Sequence, residues 1–246
     1  MKSRFPPCKL CVVKEASCKA HIIPRQFYHR MRKKSPHLLT FKVSSPVEKS
    51  TTQSGIYQTG ILCPECDGKI GQFDDYAYKI LPATTDARKF HRFAPGLCVY
   101  ELGNVDVEKF QWFLVSLAWR AAVATHPLFR RVKLGPYEER FRNVLLKTDL
   151  KSLSTVAAVV CLFQPPNHDE ILFQPFRSKY DGVNVIQFYL YPWKLLLKVD
   201  QRDFAAPFDD LALSPGRLAF AFVHDFLSQE EIKMVRSLKL ALKSGP

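Results

Sequence analysis

Between residues 107 and 124 apolar side chains fall at Phe110, Phe113, Leu114, Leu117, Ala118 and Ala121. That three-to-four-residue spacing predicts a helix, and the breadth of the stripe predicts one buried on most of its surface. His126-Pro127 ends it, because a proline disfavours helical backbone in the residue before it. Pro136 to Lys147 predicts a second helix, with Pro136 in the first turn and Phe141, Val144 and Leu145 on one side. A helix is also expected after Cys63-Pro64-Glu65-Cys66, running to Ile80, and a short basic one over Phe27 to Lys34. Leu227 to Lys243 reads as a closing helix, where Ser228 and Glu231 have the spacing of a capping box.

The pattern changes beyond Ser152. Ser154–Gln164, Glu170–Phe176, Val183–Tyr191, Trp193–Val199 and Leu218–Phe222 are rich in β-branched, aromatic and leucine residues. Pro, Asn, Asp and Gly separate them, so they read as strands. Ser35 to Thr59 is polar and reads as a loop with at most short strands. The expected fold class is α+β, in three parts: an N-terminal module over 1–80, a helical middle over 81–151, and a strand-rich part with a C-terminal helix over 152–246.

Composition sharpens this picture. Hydrophobic residues are 47% of the 246, enough for a sizeable core. No run of 18 apolar residues exists and the first residues lack a signal-peptide core, so the expectation is a cytoplasmic protein with no membrane partner. The net charge is +13, and residues 1–50 alone hold 12 Lys or Arg against Glu15 and Glu48, a net +10. Such concentration favours a polyanion partner, nucleic acid first, over a protein that is merely basic. Within it, Arg25, His29, Arg30, Arg32, Lys33 and Lys34 mix with Phe27 and Tyr28. That mixture suits a phosphate backbone and stacked bases, or else a solvated basic face.

Seven cysteines include two Cys-x-x-Cys pairs, Cys8/Cys11 and Cys63/Cys66, separated by 51 residues. In a reducing compartment that arrangement reads as a structural zinc site, with a redox pair as the competitor. Cys98 and Cys161 read as small buried hydrophobes, and Cys18 as a fifth, unused thiol. Arg120, inside an apolar helix, is expected either to contact phosphate or to pair with a buried acid; Trp112 and Trp119 are expected in the core.

Between the pairs stands Ala20-His21-Ile22-Ile23-Pro24-Arg25. A Cys-x-x-Cys knuckle, a His-Ile-x-Pro-like turn and a second Cys-x-x-Cys opening a helix resemble the HNH-type (ββα-metal, treble-clef zinc) endonuclease family, in an uncharacterised bacterial branch. The likeness covers about a third of the chain, and residues 113–143 are similar to the middle of bacterial proteins with the same module. The resemblance implies that His21 is the general base of phosphodiester cleavage. It implies a divalent cation, Mg²⁺ or Mn²⁺, beside His21, and a setting such as defence against foreign DNA. Independently, histidine can take a proton from water near neutral pH; the competing reading is a packed histidine that pins the turn before Pro24.

The sequence departs from the family pattern in three places. Ala20 stands where an acid often precedes the histidine, and Asp67 where a second histidine often follows the last cysteine. No Asn precedes the second knuckle to orient His21, the nearest polar side chains being Gln53 and Gln58. Asp67 is an acceptable ligand for a hard cation. Asp74 lies two turns on, about 10 Å along the helix axis, too far to share that ion. It is expected to support the site or to partner a basic side chain. Two functions follow: a metal-dependent endonuclease, on DNA more than RNA, or a non-catalytic zinc-containing nucleic-acid-binding or adaptor protein. The strand-rich part carries no catalytic motif and is read as binding a protein partner or an activating signal.

Overall fold

A computed structural model describes residues 4–32, 36–42, 48–95, 97–147, 149–162, 171–214 and 219–223. The expected helix over Leu227–Lys243, and Lys33 and Lys34, lie outside them. The mixed α+β class is as the sequence suggests. The N-terminal module holds β1 (Ala20–His21), α1 (Arg25–Met31), β2 (Leu38–Lys42), β3 (Glu48–Thr52), β4 (Tyr57–Gln58) and α2 (Pro64–Ile80). The middle holds β5 (Phe90–Ala94), β6 (Leu97–Gly103), α3 (Val107–Val123) and α4 (Tyr137–Leu145). The remainder holds β7 (Ala158–Leu162), β8 (Ile171–Phe173), β9 (Phe176–Tyr180), β10 (Val183–Leu190), β11 (Trp193–Lys198), α5 (Phe208–Leu211) and β12 (Ala219–Val223).

Seven strands form one sheet in the order β5-β6-β12-β7-β11-β10-β9, antiparallel throughout except for the parallel pair β12 and β7. Side chains alternate across it with period two. Ala158, Val160 and Leu162 of β7 and Leu195 and Leu197 of β11 enter the large core shared with the helices. Val159, Cys161 and Leu196 enter a second core on the opposite face, with Phe204, Phe208 and Leu211. Asp181 and Gly182 turn β9 into β10, both in the left-handed region (φ 46° and 82°), as a two-residue hairpin of this twist requires.

The sequence reading missed four features of this layout. The middle part is not only helical, since β5 and β6 are strands of the large sheet. Phe176 to Tyr180 is an edge strand whose polar outer face hid it. The polar stretch 35–59 does hold short strands, the β2–β3 hairpin, but the parallel pairing of β2 with the distant β8 was not foreseen. Cys98 is exposed, while Cys161 is buried as expected.

Helix α3 joins the parts. Asp106 caps it by accepting from the Lys109 amide at 3.1 Å. It is buried on nearly all sides, Trp112 and Trp119 included. Phe113 stacks on Phe27 of α1 and Trp112 on Phe73 of α2, with ring centroids 6.0 and 5.3 Å apart. Among the described residues no helix is long and apolar enough to cross a membrane.

Candidate metal centre and cleft

The first cysteine knuckle closes tightly: the Val12 amide donates to the Cys8 carbonyl at 2.8 Å, with Val12 itself left-handed at φ 56°. Backbone hydrogen bonds from Lys9 to Ile61 and from Cys18 to Leu62 lay this segment beside the approach to α2. Pro64 then starts α2 at a position that tolerates its missing N–H. As a result the four sulfurs of Cys8, Cys11, Cys63 and Cys66 lie within 4.8 Å of one another. The Cys11 and Cys63 Sγ atoms are 3.9 Å apart. A tetrahedron with Zn–S bonds of about 2.3 Å has edges of about 3.8 Å, so the donor set fits zinc in both chemistry and spacing.

The thiols are electrostatically uneven. Burial pushes Cys66 and Cys8 up. At Cys11 burial also acts upward, but the amides of Lys14 and Val13 and the neighbouring thiols outweigh it and bring the thiol down to about 6. Cys18 is half-buried and stands outside the cluster. Among the described residues no other group of three or more His, Cys, Asp or Glu side chains converges in this way.

His21 ends β1, which pairs with β4 in the register Ala20 to Gln58 and His21 to Tyr57. Its Nε2 lies 3.1 Å from the carbonyl oxygen of Ser54. A carbonyl only accepts, so Nε2 carries the proton and the neutral ring keeps its lone pair on Nδ1. Neither Gln53 nor Gln58 supplies this contact; the Gln58 side chain instead accepts from the Thr125 amide at 2.9 Å. Gly55 makes the Ser54 contact possible. Its φ is 88°, and a Cβ there would sit 2.3 Å from the Tyr28 ring. Burial lowers the His21 pKa below its ordinary 6.5, the Arg25 and Arg120 charges act the same way, and the Ser54 carbonyl and Asp67 oppose them.

His21 and Asp67 line one cleft of about 250 Å³, with Arg25, Asp74, Asp75 and Arg120 also at its wall. Asp67 is half-buried, and burial raises its pKa against the pull of Arg120 and His21. Asp75 is engaged by the Gln26 side chain. Asp74 belongs to the buried stripe of α2, Cys66, Ile70, Asp74 and Ala77. It is the buried acid expected for Arg120, whose guanidinium grips both of its oxygens at 2.7 and 2.8 Å.

The basic cluster divides. Arg25 and Arg32 flank the exposed His29 ring, and burial together with these two charges holds the His29 pKa low. Arg30 turns inward: it donates to the Tyr78 and Leu81 carbonyls and lies 3.8 Å over the Tyr78 ring. Its guanidinium therefore ties α1 to the end of α2 rather than offering itself to phosphate. The sequence did not single out Gln26, Gly71 and Asp75 at the cleft wall, nor Ser54 and Gly55, which hold His21 from behind it. A backbone carbonyl leaves no mark in residue identity, although Ser54-Gly55 is a turn signal.

No family model matches the sequence, and comparisons with curated proteins and with solved structures return no match.

Proposed function

We propose that this chain is a zinc-braced, divalent-metal-dependent endonuclease of HNH type acting on DNA. The observation that carries the reading is the imidazole of His21, locked by Ser54 with its Nδ1 lone pair free, on the cleft that Asp67 shares. Cys8, Cys11, Cys63 and Cys66 would hold the structural zinc. Asp67 would hold Mg²⁺ or Mn²⁺, which tolerate one or two carboxylates and take their other ligands from water and phosphate. When bound, that cation supplies Lewis-acid stabilisation of charge on the phosphate.

The residues of the chain do the rest. Nδ1 of His21 takes the proton of the attacking water, and the Ser54 carbonyl steadies the imidazolium that results. Arg25 at the cleft wall, and Arg32 on the other side of the exposed His29 ring, give this face positive charge suited to a phosphate backbone. A basic excess of +10 in residues 1–50 supports nucleic acid as the substrate.

The test is nicking of supercoiled plasmid with Mg²⁺ or Mn²⁺. His21→Ala is expected to lower the rate by about 10²–10⁴-fold, the usual cost of a lost general base, and to leave zinc content and DNA affinity intact. The active form is unprotonated, so the rate should rise with pH and level off above a midpoint below 6.5, the direction set by burial of His21. Equal cleavage by wild type and variant would remove His21 from the mechanism.

One observation favours a second reading, a non-catalytic nucleic-acid adaptor. Beside His21 the cleft offers only Asp67 as an unclaimed carboxylate, since Asp74 is held by Arg120 and Asp75 by Gln26. No cleavage with any divalent metal, together with salt-sensitive DNA binding, would select it.

A further inference from the structure

Arg120 comes from α3, outside the cysteine module, yet it lies at the wall of the cleft. It is 2% exposed. A guanidinium has five N–H donors. One Nη1 proton goes to the His21 carbonyl at 3.0 Å and the other to Asp74 Oδ2 at 2.8 Å. One Nη2 proton goes to Asp74 Oδ1 at 2.7 Å and the other to Ser116 Oγ at 3.4 Å. Nε donates to the Ser116 carbonyl at 3.3 Å. Every donor is used, so none remains to bind a phosphate. The expectation that Arg120 pairs with a buried acid holds, and the phosphate alternative does not.

The partners matter more than their number. The His21 carbonyl belongs to the residue whose imidazole faces the cleft. Asp74 stands two turns beyond Asp67 on α2, and the cysteines at the other end of that helix enter the four-sulfur cluster. The stretch of α2 that carries Asp67 is therefore pinned at both ends. The guanidinium fixes the second end to β1 and to α3 at once. We infer that Arg120, paired with Asp74, is a positioning residue of the cleft, setting His21 against Asp67 and making the cysteine module dependent on α3 for its working geometry. This rests on the nuclease reading. Its physical content is narrow: misplacement of reacting groups by about 1 Å costs on the order of 10²-fold in rate.

A variant that removes one partner strands a buried charge and mixes stability with geometry. Replacing both with apolar residues of similar size often leaves stability unchanged or improved. The full chain carrying Arg120→Met together with Asp74→Leu is therefore the discriminating protein. It is expected to keep zinc, thermal stability and DNA affinity. Its kcat for Mn²⁺-dependent nicking should fall about 10²-fold with KM unchanged, while the ¹⁵N signals of the His21 ring move away from the pure Nε2-protonated tautomer. A purely structural pair predicts the reverse: restored stability would restore kcat and the His21 signals, and that result overturns the proposal. Should the double variant not fold, Arg120→Lys decides. A lysine keeps the charge but cannot grip both carboxylate oxygens and the His21 carbonyl in one plane. A smaller loss of kcat with shifted His21 signals is expected, and wild-type values for both overturn the proposal. If the wild type cuts no substrate, the nuclease reading fails separately, and the His21 signals in these variants still decide whether Arg120 sets the ring.

Discussion

In the seven-stranded sheet successive residues of β7 and β11 bury into two different cores, so each strand is held by area on both faces. The cleft contrasts with this. Residues 4–80 also bury Ile22, Ile23, Phe27 and Met31 in the large core, but the hairpin around His21 is two residues long on each side, and the placement of His21 and Asp67 converges on a few points: four thiols, one guanidinium, one glycine against a tyrosine ring. Area distributes stability over many side chains, and losing one is survivable. Point attachments concentrate it, and losing one removes the geometry with it. A cleft built in the second way is precise but fragile.

The largest difference should appear on breaking the sulfur cluster. A structural zinc contributes an apparent ~10–16 kcal/mol, against a net domain stability of about 5–15 kcal/mol. Cys63→Ser, or a strong chelator, should release zinc and abolish amide-exchange protection around β1 and α2 while β7, β10 and β11 stay protected. Zinc-free but fully protected wild-type protein would defeat the comparison at its root. The converse variant, Leu197→Ala, empties a fully buried position on the helix-facing side of the sheet. It should cost about 2–5 kcal/mol in denaturant unfolding and leave zinc stoichiometry at the wild-type value.

Gly55→Ala asks how much one turn matters. The left-handed backbone and the Tyr28 ring both oppose a Cβ, so a loss of about 1–3 kcal/mol is expected. Cleavage should fall more than folding does, because the Ser54 carbonyl moves off His21; nicking rates that merely track the folded fraction would argue against that role. The smallest effect separates two arginines that lie only two residues apart in sequence but have different partners. Arg32→Ala should reduce the magnitude of the log K against log salt slope by about one, as loss of a single phosphate contact does. Arg30→Ala should leave that slope unchanged and lower the melting temperature, since its guanidinium is spent on Tyr78 and Leu81.

What the sequence made legible follows from where the signal resides. Helix α3 could be read because its apolar period runs for 17 residues, and α2 because Cys63-Pro64 marks its start. The pairing of Arg120 with an acid was legible in outline, since a charge inside an apolar stripe needs a partner. Strands β5 and β6 were not, because Phe90 to Gly103 mixes His, Arg, Pro and Gly with its apolar residues. The Ser54 contact with His21 was invisible for a different reason: it is made by a backbone atom that every residue possesses. The inward turn of Arg30 depends on Tyr78 and Leu81, some fifty residues away, and no local pattern reports such a meeting.

The parallel pairing of β2 with β8 has a consequence for the timing of synthesis. Leu39 to Phe41 align with Ile171 to Phe173, so the second edge of β2 stays open until more than a hundred further residues have been made. At roughly 5–20 residues per second that interval lasts several seconds or more. Arg120 and its hold on His21 also arrive late, after both cysteine pairs have left the ribosome. A nascent chain or an early-terminated fragment can therefore gather its thiols well before it possesses a set cleft. On the proposed reading, cutting competence should appear only after Arg120 and the strand Ile171–Phe173 have both been made.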